Sequence, residues 1–381
     1  MPASEGKSVS GKVRIGIVGT SWWADAMYLP ALANHPVADV RGIAGGSRRD
    51  HTRAFAAKWS IPAAYDSLDE LLAAEPLDAL LVLTPNANHF ASVMAGLTHG
   101  LHVLCEKPLG LSAGQARQMA EAAEQAGVIT MVPFTYRFMP VNRYVKELVE
   151  EGYIGRPYHL NLRYYTGYGR SGAYAWRFDA GEAGSGVSGD LGSHWAYLAR
   201  WFYGEIDAVT AVFSHTVPRA PRPDGAPFET AEDSAMMLLE FENGATGSLH
   251  LSSLAYEPGP FGQRHEMDLH GSAGSLHTMT DWIRKQRVEG CRADDPETRE
   301  LPIPDRLFGS ARRDTVHHTY KDVFRGQDHM TRGFVTAIAN GEAASPDFHD
   351  GLAVQRVLDA AARSARLGHR VRIAEIVSEG G

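Results

Sequence analysis

Cysteine is nearly absent. Cys105 and Cys291 are the only two in 381 residues, which excludes a disulfide framework and a cysteine-rich metal site. Long apolar runs are missing too: no stretch approaches the roughly 18 residues a membrane helix needs. The opening residues, Met1 to Lys12, are small and polar, without the apolar core of a signal peptide. Nor is there an excess of positive charge. The formal net charge of −8 argues against nucleic acid, because phosphate binding usually needs a basic face. These absences point to a reducing cytoplasm and to a small-molecule partner rather than nucleic acid or a membrane. Cys105 lies in an apolar strand and reads as a buried, inert thiol.

What is present is ordinary for a globular chain: 44% hydrophobic and 22% charged residues, with length enough for two domains. After a flexible start over residues 1–12, residues 13–133 alternate short apolar runs with helical patterns. Val13 to Val18, Val40 to Ala44, Ala79 to Thr84, His102 to Cys105 and Val128 to Val132 read as strands. Their near-continuous apolar character suits strands covered on both faces. Ser67 with Glu70 and Ser112 with Gln115 are capping-box pairs, and Gly127 is placed to end the second helix. Ala116, Met119, Ala120 and Ala123 give that helix its apolar stripe. The alternation predicts an α/β domain, a doubly wound parallel sheet of the Rossmann type.

From residue 134 to 381 the texture changes. A helix, Val141 to Glu150, leads to period-two segments such as His159 to Tyr165. Met236 to Phe241 and Thr246 to Leu251 flank Asn243-Gly244, a hairpin signal. A second, α+β domain on an open, mostly antiparallel sheet is expected. Val354, Val357, Leu358, Ala361 and Ala365 form a closing helical stripe ended by Gly368. Residues 292–326, rich in charge and histidine, read as a long loop or insertion, with His317-His318 facing solvent.

Two segments of the first domain carry nucleotide chemistry. Gly19-Thr20-Ser21-Trp22-Trp23-Ala24 follows the first strand. Gly19 and Ala24 fill the first and third roles of a dinucleotide fingerprint, while Ser21 stands where the middle glycine belongs. An ordinary strand-to-helix turn is the competing reading. The second strand ends in Gly45-Gly46-Ser47-Arg48-Arg49, with no acidic residue to bind a ribose 2′-hydroxyl. Ser47 with Arg48 or Arg49 suits a 2′-phosphate, so NADP is favoured over NAD.

The chemistry-bearing residues follow. Thr84-Pro85-Asn86, with His89, ends one strand and Glu106-Lys107-Pro108 ends the next. In the second domain Asp190 and His194 stand four apart, on one helical face. Alcohol oxidation needs a hydride acceptor and a group that takes the hydroxyl proton, and histidine titrates nearest neutral pH. A cation such as Lys107 stabilises negative charge developing on oxygen. Each residue has an ordinary alternative: Lys107 a surface residue, Asp190 a helix cap, His194 a core histidine. Asp190 and His194 also suit a metal, but no clear third ligand accompanies them.

With these motifs in this order, the chain resembles the glucose–fructose oxidoreductase, inositol dehydrogenase and rhizopine-catabolism (Gfo/Idh/MocA) family from about Val13 to Ile373. Tyr136-Arg137-Phe138, Glu232-Asp233 and the closing Asp350-Gly351 helix are part of the likeness. The resemblance implies a catalytic set of His194 as general acid/base, Lys107 as its electrostatic and proton-sharing partner, and Asp190 as orienter, in a cleft between domains. Tyr136 and Arg137 join these as substrate contacts. Arg137, Trp176 and Arg177 match cofactor- or substrate-cleft positions, with a core role the alternative for Trp176, as do Thr84, Pro85, Asn86 and His89; Glu106 and Pro108 shape their loop, with Glu106 able to reach the nicotinamide ribose. Tyr197 replaces an acidic residue that touches substrate in some polyol dehydrogenases. The implied activity is NAD(P)-dependent oxidation or reduction of a sugar, cyclitol or related polyol, in a homodimer or homotetramer joined through the open sheet. A nicotinamide-dependent glycoside hydrolase and a non-catalytic dinucleotide sensor are the alternatives.

Overall fold

The computed structural model describes residues 11–46, 48–258 and 262–379, which divide into two compact units. One holds the described residues up to Pro133 together with Lys321–Ala353; the other holds Phe134–Tyr320 and the described residues from Val354 onward. A single second domain over 134–381 therefore needs correction, because Lys321–Ala353 returns to the first unit. The reason is cover for a sheet face. The helix Met330–Asn340 buries Phe334, Val335 and Ile338 completely, packing on three strands of the first sheet and on the helix Leu29–Ala33.

The first unit is built on six parallel strands, β1 (Val13–Val18), β2 (Ala38–Ala44), β3 (Ala63–Tyr65), β4 (Ala79–Val82), β5 (His102–Cys105) and β6 (Thr130–Met131). Their order is β3-β2-β1-β4-β5-β6. The chain winds outward both ways from the β1/β4 boundary, the switch point where such sheets bind ligands. Every residue of β4 and β5 is buried, as strands covered on both faces require. The sequence overlooks β3, whose Ala-Ala-Tyr has little strand signal. It also makes two strands too long, since the chain leaves β4 at Val82 and β6 keeps only two residues. The caps are as read. Ser67 Oγ accepts from Glu70 N at 3.1 Å, Ser112 Oγ from Gln115 N at 3.3 Å, and Gly127 turns left-handed at φ +62°.

The second unit holds a nine-stranded sheet made of β7 (Pro157–Tyr165), β8 (Ile206–Ser214), β9 (Ser234–Phe241), β10 (Thr246–Ser252), β11 (Arg264–Gly271), β12 (Gly274–Thr280), β13 (Gln286–Arg292), β14 (Arg299–Glu300) and β15 (Val371–Arg372). Its order is β14-β13-β12-β11-β7-β10-β9-β8-β15, antiparallel except for the parallel pair β7–β10. β9 and β10 meet through Asn243-Gly244, with Gly244 at φ +84°. Along β9, Ala235, Met237, Leu239 and Phe241 are buried while Met236 and Leu238 are exposed, the alternation of a sheet with one covered face. The helix Gly192–Tyr203 packs against β7 and β10.

Residues 292–326 are not a long loop. They contain β14, the helix Asp305–Phe308 and the helix Val316–Gly326. Val316, Tyr320, Val323 and Phe324 are buried at helical spacing, a stripe obscured in the sequence by interleaved charge. His317 and His318 accordingly sit half-buried in a helix, His318 Nδ1 lying 2.8 Å from Asp314.

Candidate active site

In the first unit, Gly19 closes β1 at φ +110°, and a β-carbon there would stand 2.5 Å from the Leu83 carbonyl oxygen. Its N–H donates to Ala44 O at 2.9 Å. The turn is thus tied to the ends of both strands flanking β1, and only glycine meets both demands. Ser21 does a capping job. Its Oγ accepts from Ala24 N at 3.1 Å, at the start of a π-helical turn, Ala24–Tyr28, that runs into the helix Leu29–Ala33. The hydroxyl hydrogen stays available to a ligand. Thr20 is buried and Trp22 is exposed, edge-on to Trp23.

Of the residues expected to read the ribose phosphate, Ser47 lies outside the described residues. Arg48 is exposed at the head of the helix Arg49–Lys58, whereas Arg49 pairs with Asp66 at 2.8 Å. Arg49 is the weaker phosphate partner, its charge being already matched.

The two strand-end loops are joined by His89. Its Nδ1 lies 3.0 Å from Pro108 O and its Nε2 lies 3.1 Å from Thr84 O. The ring is wholly buried, and burial keeps its pKa below the usual histidine range against two carbonyls that favour the charged form. His89 thus clamps the loops that carry Thr84 and Lys107. Thr84 Oγ1 is buried and makes no hydrogen bond among the described residues. Pro85 and Asn86 open the turn Asn86–Asn88.

Glu106 holds its loop through both carboxylate oxygens. Its Oε1 accepts from Trp23 Nε1 at 2.8 Å and from Tyr28 OH at 2.6 Å, and its Oε2 accepts from the Lys107 N–H at 3.1 Å. The carboxylate thereby fixes the Lys107 backbone on the glycine-turn helix. Lys107 itself is half-buried.

In the second unit, Asp190 ends the short helix Val187–Asp190, and His194 lies in the first turn of the helix Gly192–Tyr203. Asp190 Oδ2 accepts from Tyr168 OH at 2.8 Å and faces Arg177 Nε at 3.5 Å. Burial and the Asp190 charge hold the Tyr168 phenol well above its usual pKa, so it stays a donor. The Arg177 guanidinium lies 4.7 Å over the half-buried Trp176 ring. Sequence reading missed Tyr168, whose only signal is its place in a glycine-rich loop.

His194 is 7% exposed, edge-on to Tyr136 at 4.7 Å. Tyr136 is itself buried, its hydroxyl 2.5 Å from that of Tyr164. It backs the imidazole instead of offering a polar atom to substrate, a correction to its expected role. Tyr197 stacks on Phe134 at 4.6 Å and accepts from Arg137 Nη1 at 2.5 Å. Arg137 is thereby anchored to a phenol on the His194 helix, in a nest with the Trp201 ring.

The motif Glu232-Asp233 supports the whole arrangement. Asp233 accepts from Thr216 N and Val217 N, and its carboxylate lies 3.5 Å from Arg219 Nη2, both side chains buried. Arg219 Nη1 in turn donates to Gly169 O at 2.7 Å and Ser171 O at 2.8 Å, pinning the loop that holds Tyr168.

A carboxylate one helical turn before an imidazole in one unit, and a lysine at the end of β5 in the other, are parts suited to proton and charge management at an alcohol. Residues 13–134 match the model of the oxidoreductase family with an NAD-binding Rossmann fold, and residues 142–277 match the Gfo/Idh/MocA C-terminal domain. Levoglucosan dehydrogenase of Pseudarthrobacter phenanthrenivorans is 27% identical over 74% of this chain and 77% of its own. D-xylose 1-dehydrogenase (NADP(+)) 2 of Haloferax volcanii is 29% identical over 94% of this chain and 99% of its own. The solved structure of levoglucosan dehydrogenase with NADH and levoglucosan superposes with a TM-score of 0.83 at 25% identity, covering 95% of this chain and 99% of that one. The chain is a member of the Gfo/Idh/MocA family of nicotinamide-dependent oxidoreductases.

Proposed function

We propose that this chain oxidises a secondary hydroxyl of a sugar or related polyol, or reduces the matching carbonyl, with His194 as general acid/base, Lys107 as its electrostatic partner and Asp190 as orienter. The observation that carries this reading is the Asp190 carboxylate held between Tyr168 and Arg177, one helical turn before His194. In the oxidative direction His194 takes the hydroxyl proton, and Asp190 stabilises the imidazolium that results. Lys107 offsets the negative charge that develops on the substrate oxygen. Arg137, in the turn Thr135–Phe138, is a substrate contact held by Tyr197 of the helix that carries His194. The relatives named above act on pyranose- and pentose-type sugars, which supports that substrate class.

The first unit suits a nicotinamide dinucleotide, which when bound supplies the hydride acceptor. The Gly19 turn at the switch point, the donor hydrogen left on Ser21 and the unsatisfied Thr84 Oγ1 are groups such a cofactor would engage. NADP is the preferred form, on the strength of an exposed Arg48 and the absence of a carboxylate in residues 45–49. Relatives of both kinds exist, one named for NADP and one solved with NADH. Val212, Met236 and Leu238, all exposed on one face of β8 and β9, favour a homodimer or homotetramer formed through that sheet. Two free cysteines fit a cytoplasmic setting. Among the described residues no helix is long and apolar enough to cross a membrane.

The test is a cofactor-reduction screen over levoglucosan, D-xylose, glucosides and cyclitols with both nucleotides. Turnover is expected with at least one sugar. Lys107→Ala and His194→Ala should abolish it while dinucleotide binding, followed by fluorescence titration, survives. Loss of cofactor affinity as the main effect of both would sink the assignment. Arg48→Ala should weaken NADP more than NAD; equal effects would remove the phosphate role.

A further inference from the structure

One carboxylate beneath the Asp190 segment has no part in the chemistry above. Glu232 is 4% exposed, and its Oε1 alone accepts three hydrogen bonds. They come from Gly186 N at 3.0 Å, Ser188 N at 2.8 Å and Ser188 Oγ at 2.5 Å. The Glu232 backbone carbonyl accepts a fourth, from Val187 N at 3.1 Å. These N–H groups open the helix Val187–Asp190 and have no partner within it, so the carboxylate satisfies donors that would otherwise be buried and unpaired. The approach leaves no room for a side chain: a β-carbon on Gly186 would stand 1.9 Å from Glu232 O. The Asp190 N–H then bonds back to Gly186 O at 3.0 Å, and Leu191 N to Val187 O at 2.9 Å. The cradle thus passes directly into the turn that aims Asp190.

We infer that Glu232 is a positioning residue for the Asp190–His194 pair: it sets the height and rotation of the short helix so that Asp190 meets Tyr168 and His194 keeps its orientation. This rests on the oxidoreductase reading above for its kinetic consequence, and on geometry alone for its structural one. A carboxylate is suited to the task because one oxygen must serve three donors, and an ionised acceptor makes the stronger bonds.

The experiment compares wild type with Glu232→Ala, Glu232→Gln and Ser188→Ala. Glu232→Ala should lower kcat on the order of 10²-fold, the scale of a misplaced catalytic group, with KM for sugar and affinity for dinucleotide within about twofold. Glu232→Gln keeps an oxygen acceptor and should recover most of kcat. The limb of the pH profile that reports His194 should move to lower pH in Glu232→Ala, as the imidazolium loses its set carboxylate, and should stay in place in Glu232→Gln. An NMR titration of the His194 ring reads the same displacement without turnover. An inactive wild type would therefore refute the oxidoreductase reading while leaving this inference to the titration. Should Glu232→Ala fail to fold, Ser188→Ala decides: a severalfold loss of kcat at constant KM supports the role. Wild-type kcat and an unmoved His194 titration in the folded variants would overturn it.

Discussion

Tyr168 donates its phenolic hydrogen to Asp190 across 2.8 Å, from a loop some twenty residues earlier in the chain. The bond lowers the energy of the ionised carboxylate and fixes the direction in which it points. Tyr168→Phe should therefore lower kcat by about 10-fold, the low end of what a hydrogen bond to a charged group is worth, with dinucleotide affinity unchanged. Steady-state kinetics beside a binding titration checks this. An unaltered kcat would mean that Arg177 alone suffices.

Ser21 stands where a dinucleotide fingerprint has its middle glycine, and its oxygen caps the Ala24 N–H. Replacing such a cap by glycine costs only a few tenths of a kcal/mol, and by alanine typically about 1 kcal/mol. Ser21→Gly is expected to keep stability and dinucleotide affinity near the wild-type level, and Ser21→Ala to lose stability by chemical denaturation. A marked fall in affinity in the glycine variant would reveal that the hydroxyl donates to the pyrophosphate.

Tyr28 is fully buried and gives its hydrogen to Glu106. Tyr28→Phe should destabilise the first unit by about 1.5–3 kcal/mol, the range for a hydrogen bond to a charged group. Denaturation followed by intrinsic fluorescence measures it. No change would show that the Trp23 and Lys107 N–H groups hold the carboxylate without it.

His265 lies within the aromatic cluster of the second unit, and burial pushes its pKa down to about 3. In the unfolded chain a histidine titrates near 6.5. Between these values the unfolded state holds a proton that the folded state lacks, so the stability is present above about pH 6.5 and is lost as pH falls toward 3. At pH 5 the loss amounts to about 2 kcal/mol from this residue. His265→Phe should flatten the decline between pH 7 and 5 by that amount. The replacement forfeits no hydrogen bond, since His265 Nε2 is buried and has none among the described residues. An unchanged pH slope would place the acid sensitivity elsewhere, for example at His35, His89 or His102, whose pKa values burial also lowers.

Much of this molecule is legible in its sequence, for reasons that differ by residue. β1 and β5 are readable because strands covered on both faces are apolar throughout. Ser67, Ser112 and Gly127 are readable because capping is local chemistry. His89, Glu106 and Tyr136 are legible only in part, because a motif specifies where a residue lies, not what its polar atoms meet. The partners that decide their roles, Thr84 with Pro108, Trp23 with Tyr28, and Tyr164, are distant in sequence or lie across a turn. The Val316–Gly326 helix was hidden for a different reason. Its buried stripe is only four residues among histidines, arginines and aspartates, so bulk polarity masks the period.

The ring of His89 acts as a rivet between the segment after β4 and the segment after β5. Two loops fastened through one rigid imidazole cannot be retuned separately. A change that reshapes the Thr84 side to suit a different nucleotide will drag the Pro108 side with it, and with it the backbone that presents Lys107. The Arg48 segment, at the head of the helix Arg49–Lys58 on the other side of β1, lies outside that rivet, so a change there leaves both His89 bonds in place.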